Sequence, residues 1–348
     1  MILFAFFINK INFTNFLTHG IIHNRRGAGP SWLMTGLFFF FPAKSVLSER
    51  RISVEKKRNA WGWAFLAIAS ILIMIFSFYP MVAAFITSLK TGSSANMVWA
   101  SEKFGNAFYN YTRMFKDKTF MTTLKNTFFY LIVQVPIMLV LAILLAQLLN
   151  NPNLKFRGLF RTCIFLPCAI SLVSYALIFR SLFATQGLIN SILMGLGLIK
   201  ENINWLGQTG TARGVIIFAL IWRWTGYNMV FYLAGLQNLD YSVYEAAHID
   251  GANGWDTFWQ ITVPQLKPVI IMTFIMSING TLQLFDESVN LTNGGPAGTT
   301  MTMSHYIYNN AFGTGVANFG YSSAMSFLVF ILVAILAVIN LKVGDSRD

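Results

Sequence analysis

The sequence predicts an all-α integral membrane protein with six transmembrane helices. Three observations predict it. The 348-residue chain is 55% hydrophobic and only 11% charged, where a soluble domain carries roughly a quarter of its residues charged. Uncharged stretches run from Asn59 to Leu89 and from Asn126 to Leu154, each longer than the about 20 apolar residues that cross a hydrocarbon core. Backbone N–H and C=O groups find no water in lipid, so such stretches must be helical. A soluble core of this size would interleave charges every few residues.

The spans follow in order. The first is 61–88 and the second 127–150. The third, 160–182, is interrupted only by Arg161 near its start and Arg180 near its end. The fourth, 214–237, holds Arg223 in its interior. The fifth, 268–288, ends in Asp286 and Glu287, and the sixth is 321–341. Residues 1–58 are expected to be a disordered extension or a mis-assigned start. The apolar pieces 1–8 and 32–43 are too short to span, neither resembles a signal peptide, and Glu55-Lys56-Lys57-Arg58 reads as a natural basic N-terminus. Residues 59–125 form the first helix and an external segment, 126–342 the main transmembrane domain, and 343–348 a cytoplasmic tail.

The formal net charge is +12. The basic residues form no stripe with interleaved aromatics, so they fit lipid headgroups and topology better than nucleic acid. Lys56, Lys57 and Arg58 place the N-terminus in the cytoplasm, and six spans return Lys342 and Arg347 to the same side. Lys155, Arg157 and Arg161 put the loop after span two there, and the loop 238–267 shares that side. The segment 90–125 runs against this scheme. It holds Lys90, Lys103, Arg113, Lys116, Lys118 and Lys125, and is expected as a small external cap.

Catalytic chemistry finds no foothold. Cys163 and Cys168 form no CxxC spacing and read as packing residues. His19, His23, His248 and His305 are scattered, so no metal site is expected. There is no GxxxxGK[ST] phosphate loop. The chain is therefore read as a non-enzyme that binds no cofactor of its own.

The segment 238–268 is polar and glycine-marked between two apolar spans. Ser242-Val-Tyr-Glu245 has the S-x-x-E form of a capping box, which starts a helix over Tyr241 to Asp250. Gly251 ends it in a left-handed conformation. Asn253-Gly254 turns the chain, and Trp255 to Val263 forms a second short helix, with Pro264 and Pro268 marking its end and the start of the next span. From physical chemistry alone two readings stand: a docking element, or an amphipathic connector resting on headgroups.

The spacing within this segment carries a resemblance. Glu245-Ala246-Ala247, then Gly251 after three residues, then Ile261 and Pro264 after nine, resembles the EAA motif of binding-protein-dependent ABC importer permeases. Asp250-Gly251-Ala252 completes it, with Val263 where the family has Leu. The resemblance covers roughly 106–342 and is strongest to the first permease subunits of carbohydrate importers. Asn110-Tyr111, Asn126-Thr127, Leu166-Pro167, Phe285-Asp286 and Asn293-Gly294-Gly295-Pro296 are further matching patches. The resemblance implies a type I ABC importer transmembrane domain in the bacterial cell membrane. It implies a cytoplasmic coupling helix that docks on an ATPase through Glu245, Ala246, Ala247, Asp250, Gly251, Ala252, Phe258, Ile261 and Pro264. It also implies partners: a homologous second permease, two cytoplasmic ATPases that bind ATP and Mg, and an external solute-binding protein.

Polar residues inside spans face a bundle interior or cavity. Span four offers Arg223, Trp224, Tyr227 and Asn228, with aromatic faces suited to the apolar C–H faces of a sugar. Aromatic packing between helices is the competing reading. Span five offers two faces: Asn279, Gln283, Asp286 and Glu287 on one, Ser277, Gly280, Thr281 and Leu284 on the other. Polarity favours the first and the resemblance the second. Asp286 is alternatively a structural residue, or a partner of Arg223 or Arg180. The function expected is permeation of a sugar. The alternatives are a non-sugar or anionic solute such as a glycerol phosphate, drawn by Arg223, and an ATPase-independent secondary transporter.

Overall fold

The structure is a computed structural model that describes residues 62–63, 66–93, 96–151, 153–313 and 315–344. The expected extension 1–58 and the end of the tail, 345–348, lie outside the described residues. The chain divides into two units, Met1–Ala83 and Ala84–Asp348. In the first, the described residues from Leu66 onward belong to the helix α1 (Leu66–Ser88), which carries one π-helical turn at Met74–Phe78.

The second unit is built from helices, with one two-stranded ribbon. Strand β1 (Lys90–Thr91) pairs antiparallel with β2 (Val98–Trp99). Two short helices follow, α2 (Ala100–Phe104) and α3 (Tyr109–Lys116). Asn110 ties this cap together: its amide donates to the carbonyls of Ser88 (2.8 Å) and Lys90 (2.7 Å). The cap expected over 90–125 is thus folded through backbone groups that its basic side chains leave alone.

Helix α4 (Lys118–Asn150) runs 33 residues, nine longer at its start than the apolar run suggested. Its first turn is polar, and Asp117 extends it by capping. One carboxylate oxygen accepts from the N–H groups of Thr119 (2.9 Å) and Phe120 (3.3 Å), filling two of the donors a helix start leaves open. The other oxygen accepts from the hydroxyls of Tyr306 and Tyr321, each at 2.7 Å. Burial would raise the Asp117 carboxyl. The two hydroxyls and the Phe120 and Thr119 N–H groups outweigh it and hold it below the ordinary aspartate range.

The third span departs from expectation. In place of one helix over 160–182 the chain forms α5 (Arg157–Ala169) and α6 (Leu172–Leu182), bent by 99°. Pro167 lacks an N–H and cannot continue the ladder, and Ile170 and Ser171 are extended. An outer helix α7 (Leu188–Gly195) leads to α8 (Thr209–Gln237), the fourth span.

After α8 come α9 (Tyr241–Ile249) and α10 (Gly254–Leu282). The separate short helix expected over Trp255 to Val263 is instead the first part of α10, joined through a π-helical turn at Phe258–Thr262. That turn admits Pro264 at the start of the following α segment. At 29 residues, α10 is about 43 Å long, enough to cross an about 30 Å core and project beyond it. Span five also ends early, at Leu282, and Asp286 opens a separate helix α11 (Asp286–Asn290). Helices α12 (Met303–Phe312) and α13 (Phe319–Gly344) complete the chain. Among the described residues five helices are long and apolar enough to cross a membrane, six with the bent pair.

Helix α8 is central, packing on α4, α5, α10 and α11. Lipid tails are as apolar as the side chains, so close contact rather than hydrophobicity holds such helices. The contact is made by small residues. Ala142 and Ala146 of α4 are fully buried against Met229, Tyr232 and Leu233 of α8. A Cβ at Gly226 would collide with the carbonyl of Ile164 on α5. On the other flank α13 packs on α12, α10 and α3.

Asp117→Ala removes a cap and two hydroxyl contacts at once, and should cost roughly 1–3 kcal/mol, read as a lower thermal midpoint of the solubilised protein. A depressed carboxyl stabilises above the unfolded value of about pH 3.9. The difference between wild type and variant should therefore persist at neutral pH and close only as pH falls through the lower folded value.

Candidate functional site

Two features stand out: a largely apolar cavity with a few polar groups among α4, α8, α10 and α11, and an exposed helical hairpin at the junction of α8 and α10. The cavity measures about 280 Å³. Its α8 wall is Trp224, Tyr227 and Asn228, one helical stripe. Trp224 and Tyr227 meet edge to face with centroids 5.8 Å apart, so their half-buried rings offer both faces and edges. The Asn228 amide donates to the Trp224 carbonyl at 3.0 Å and is otherwise buried.

The α10 wall answers the question of the two faces. Ser277, Gly280, Thr281 and Leu284 line the cavity, and so do Gln283, Asp286 and Glu287. On a straight helix Gln283 and Glu287 would share the stripe of Gly280 and Leu284, while Asp286 would fall about 120° from Gly280. Because α10 stops at Leu282 and α11 starts at Asp286, the chain turns and Asp286 reaches the same space. Asn279 does not line it. A Cβ on Gly280 would meet nothing within 4 Å, so that part of the wall is open.

Helix α4 contributes residues that the sequence reading missed. Gln134 is buried, accepts from the Thr281 hydroxyl at 3.1 Å, and lines the cavity with Met138. The signal was present, since a lone amide inside an uncharged span is itself a pointer to an interior position.

Arg223 is placed differently from what its position suggested. It is 4% exposed and absent from the cavity lining. Its guanidinium donates to the carbonyls of Pro167 (3.2 Å) and Cys168 (3.3 Å) where α5 ends; the Pro167 carbonyl also accepts from the Ile170 N–H at 3.4 Å. It also lies over the rings of Tyr175 (4.7 Å) and Trp224 (5.5 Å). Tyr175 in turn donates to Glu287 Oε1 at 2.7 Å, and Glu287 is 2% exposed. One buried chain of contacts thus runs from the break in span three, through α8, to the break after span five. The spacing of Arg223, Tyr175 and Glu287 in the sequence gives no sign of it.

The hairpin is as exposed as the cavity is enclosed. Asp240, not Ser242, caps α9, accepting from the Ser242 N–H at 3.0 Å. Gly251 ends α9 at φ +83°, where a side chain is strained. The Ala252 N–H donates back to the Ala247 carbonyl at 2.9 Å, closing the helix end. Asn253 then caps α10, accepting from the N–H groups of Trp255 and Asp256, each at 2.9 Å. Ala247 is buried while Glu245, Ala246 and Asp250 are exposed. Ile249 is 86% and Trp255 68% exposed. Phe258 is buried against Trp255 and Trp259 and supports the turn from inside. Ile261 is half-buried and Pro264 exposed.

A multi-span helical protein with a cavity of mixed apolar and polar lining among its helices and an exposed hairpin on the cavity's own helices has the build of a transmembrane permease. Residues 138–344 match the family of the binding-protein-dependent transport system inner membrane component, and the chain belongs to that family. It is 45% identical over 304 residues, 87% of this chain and 100% of the relative, to the lactose transport system permease protein LacF of Rhizobium radiobacter. It is 34% identical to the arabinooligosaccharides transport system permease protein AraP of Bacillus subtilis, over 90% of this chain and 97% of that one. A chain in the crystal structure of a bacterial ABC transporter involved in the import of the acidic polysaccharide alginate superposes with a TM-score of 0.72 at 23% identity. That match covers 85% of this chain and 99% of that chain, and the fold is that of an ABC importer transmembrane domain.

Replacing Arg223 with Met removes the side-chain donor to the Cys168 carbonyl and one of the two donors to the Pro167 carbonyl, at about 1–3 kcal/mol in all. Arg223→Lys should recover only part of this, because a single ammonium lacks the planar fork. Thermal unfolding of the solubilised protein should rank wild type above Lys above Met.

Proposed function

We propose that this chain is one permease subunit of an ATP-driven importer that passes a saccharide into the cytoplasm. The observation that carries the proposal is connectivity. The exposed hairpin α9 joins α8 directly to α10, and those two helices supply half of the residues that line the cavity. A force applied at the hairpin therefore acts on both walls without an intervening element. The chain has no phosphate loop of its own, so the force comes from partner ATPases that bind ATP and Mg. Exposed Ile249 and Trp255 beside Glu245 give the hairpin the apolar anchors and polar rim of a docking surface.

Saccharide is the cargo class that the cavity chemistry and the relatives favour together. Aromatic rings at Trp224 and Tyr227 suit sugar C–H faces, and Gln134, Asn228, Ser277, Thr281 and Gln283 offer amides and hydroxyls. Listeners for sugar hydroxyls and stacking surfaces thus share one space. The chain resembles permeases named for lactose and for arabinooligosaccharides. The complete transporter is read as this chain, a second homologous permease, two ATPases and an external solute-binding protein. It sits in the bacterial cell membrane, with both termini of this chain and the hairpin in the cytoplasm.

Two variants test this. Gly251→Val strains the left-handed position, and Glu245→Ala removes the exposed carboxylate. Both should abolish ATP-dependent uptake of labelled lactose or the native saccharide while the protein still reaches the membrane fraction. Undiminished uptake would refute the coupling role of α9. Gly280→Leu should fill the cavity without a backbone clash, and lower uptake at least about tenfold while basal ATPase activity of the complex remains.

A further inference from the structure

We infer that Asp286 is a specificity-determining residue that accepts hydrogen bonds from a neutral saccharide and turns away anionic ones. The inference rests on the saccharide reading above and deepens it. Asp286 is half-buried, lines the cavity, and opens α11. Among the described residues no group donates a hydrogen bond to its carboxylate; only its backbone carbonyl is engaged, by the Asn290 amide at 2.9 Å. An ionised carboxylate is an acceptor with about four lone-pair sites. One facing a cavity without a protein donor is provided for by water or by the hydroxyls of a polyol cargo.

The adjacent carboxylate has a different assignment. Glu287 also borders the cavity, but Tyr175 donates to it at 2.7 Å and it is almost wholly enclosed. Its acceptor capacity is engaged, which leaves Asp286 as the carboxylate available to a cargo. The compensating cation is withheld. Among the described residues that line the cavity none is Lys, Arg or His. Arg223, the nearest basic side chain in the span, has its guanidinium turned to the carbonyls of Pro167 and Cys168 and covered by the Tyr175 and Trp224 rings. A residue that looked in the sequence like an anion trap is occupied holding a broken helix together.

The electrostatic consequence has one sign. A sugar carboxylate or phosphate entering this space meets the Asp286 carboxylate and no basic side chain among the described lining residues, Arg223 lying behind the Tyr175 ring on the side of Glu287. Like charges about 5 Å apart at an effective dielectric between that of protein and water disfavour the anion by roughly ten- to a hundredfold. A neutral saccharide meets the same carboxylate as an acceptor for its hydroxyls. The fold is shared with an importer of an acidic polysaccharide, so the charge preference resides in these side chains and not in the architecture.

The test uses the assembled transporter in nanodiscs without a solute-binding protein, so that no other component selects the sugar. Binding is read from quenching of tryptophan fluorescence, to which Trp224 in the cavity wall contributes. The probes are cellobiose and cellobiouronic acid, which differ only by oxidation of one hydroxymethyl group. Wild type should prefer cellobiose at least about tenfold. Asp286→Asn, which keeps the volume and removes the charge, should collapse that preference to within about threefold, and Asp286→Glu should restore it. Because no protein group hydrogen-bonds the carboxylate, Asp286→Asn should unfold at the wild-type temperature. An unchanged preference in Asp286→Asn, with cellobiose still bound, would overturn this inference and leave the saccharide reading standing. Failure of wild type to bind cellobiose and cellobiouronic acid alike would overturn both.

Discussion

A helix that stops inside a bilayer must still satisfy its last carbonyls, and this requirement organises the centre of the molecule. Span three stops at Ala169 and restarts at Leu172 after a 99° bend. There the Pro167 carbonyl keeps only the Ile170 N–H, at 3.4 Å, and the Cys168 carbonyl lies beside it in a medium that supplies no donors. Arg223 meets both from the next span. The same side chain stacks on Tyr175, which holds Glu287 on the far side of the cavity. Satisfying one broken helix therefore positions the wall of another, and the cavity lies where the two breaks face each other.

The remaining structure serves that arrangement. Small residues let α4 and α5 approach α8 closely, and Gly226 is the tightest point. Asp117 joins the start of α4 to Tyr306 and Tyr321, so α4, α12 and α13 share one carboxylate. Asn126 and Arg213 do the same for the loop before α12. The Arg213 guanidinium donates to the Thr299 carbonyl and the Asn126 side chain, and Asn126 donates to the carbonyls of Gly298 and Met301. This end of the bundle is thus held by many polar contacts. The opposite end presents a hairpin whose outward residues leave their side chains exposed.

Much of this was legible in the sequence because the bilayer imposes simple rules. Long uncharged runs located the spans, and the glycine and asparagine at 251 and 253 located the hairpin. What could not be read were contacts between distant segments. Capping by Asp240 in place of Ser242 is a local choice between two adequate acceptors, and the sequence pattern favoured the wrong one. The bend at Ile170 was signalled by Pro167, yet many spans accommodate a proline without breaking. Arg223 was visible as an anomaly, but its meaning depended on carbonyls 55 and 56 residues away. Asp286 seemed excluded from the Gly280 face because a continuous helix was assumed through residue 288. Gln134 announced itself as a lone amide and was passed over among apolar neighbours.

The central claim is that the hairpin and the cavity form one mechanical unit. The most direct measurement places a cysteine at Gly280, where the wall is open, in a background lacking Cys163 and Cys168. A membrane-impermeant thiol reagent is then applied from each side of the membrane, with and without ATP locked on the ATPase subunits. Coupling through α9 predicts labelling from one side without nucleotide and from the opposite side with it, a switch abolished by Gly251→Val. Labelling from the same side in both states would contradict it.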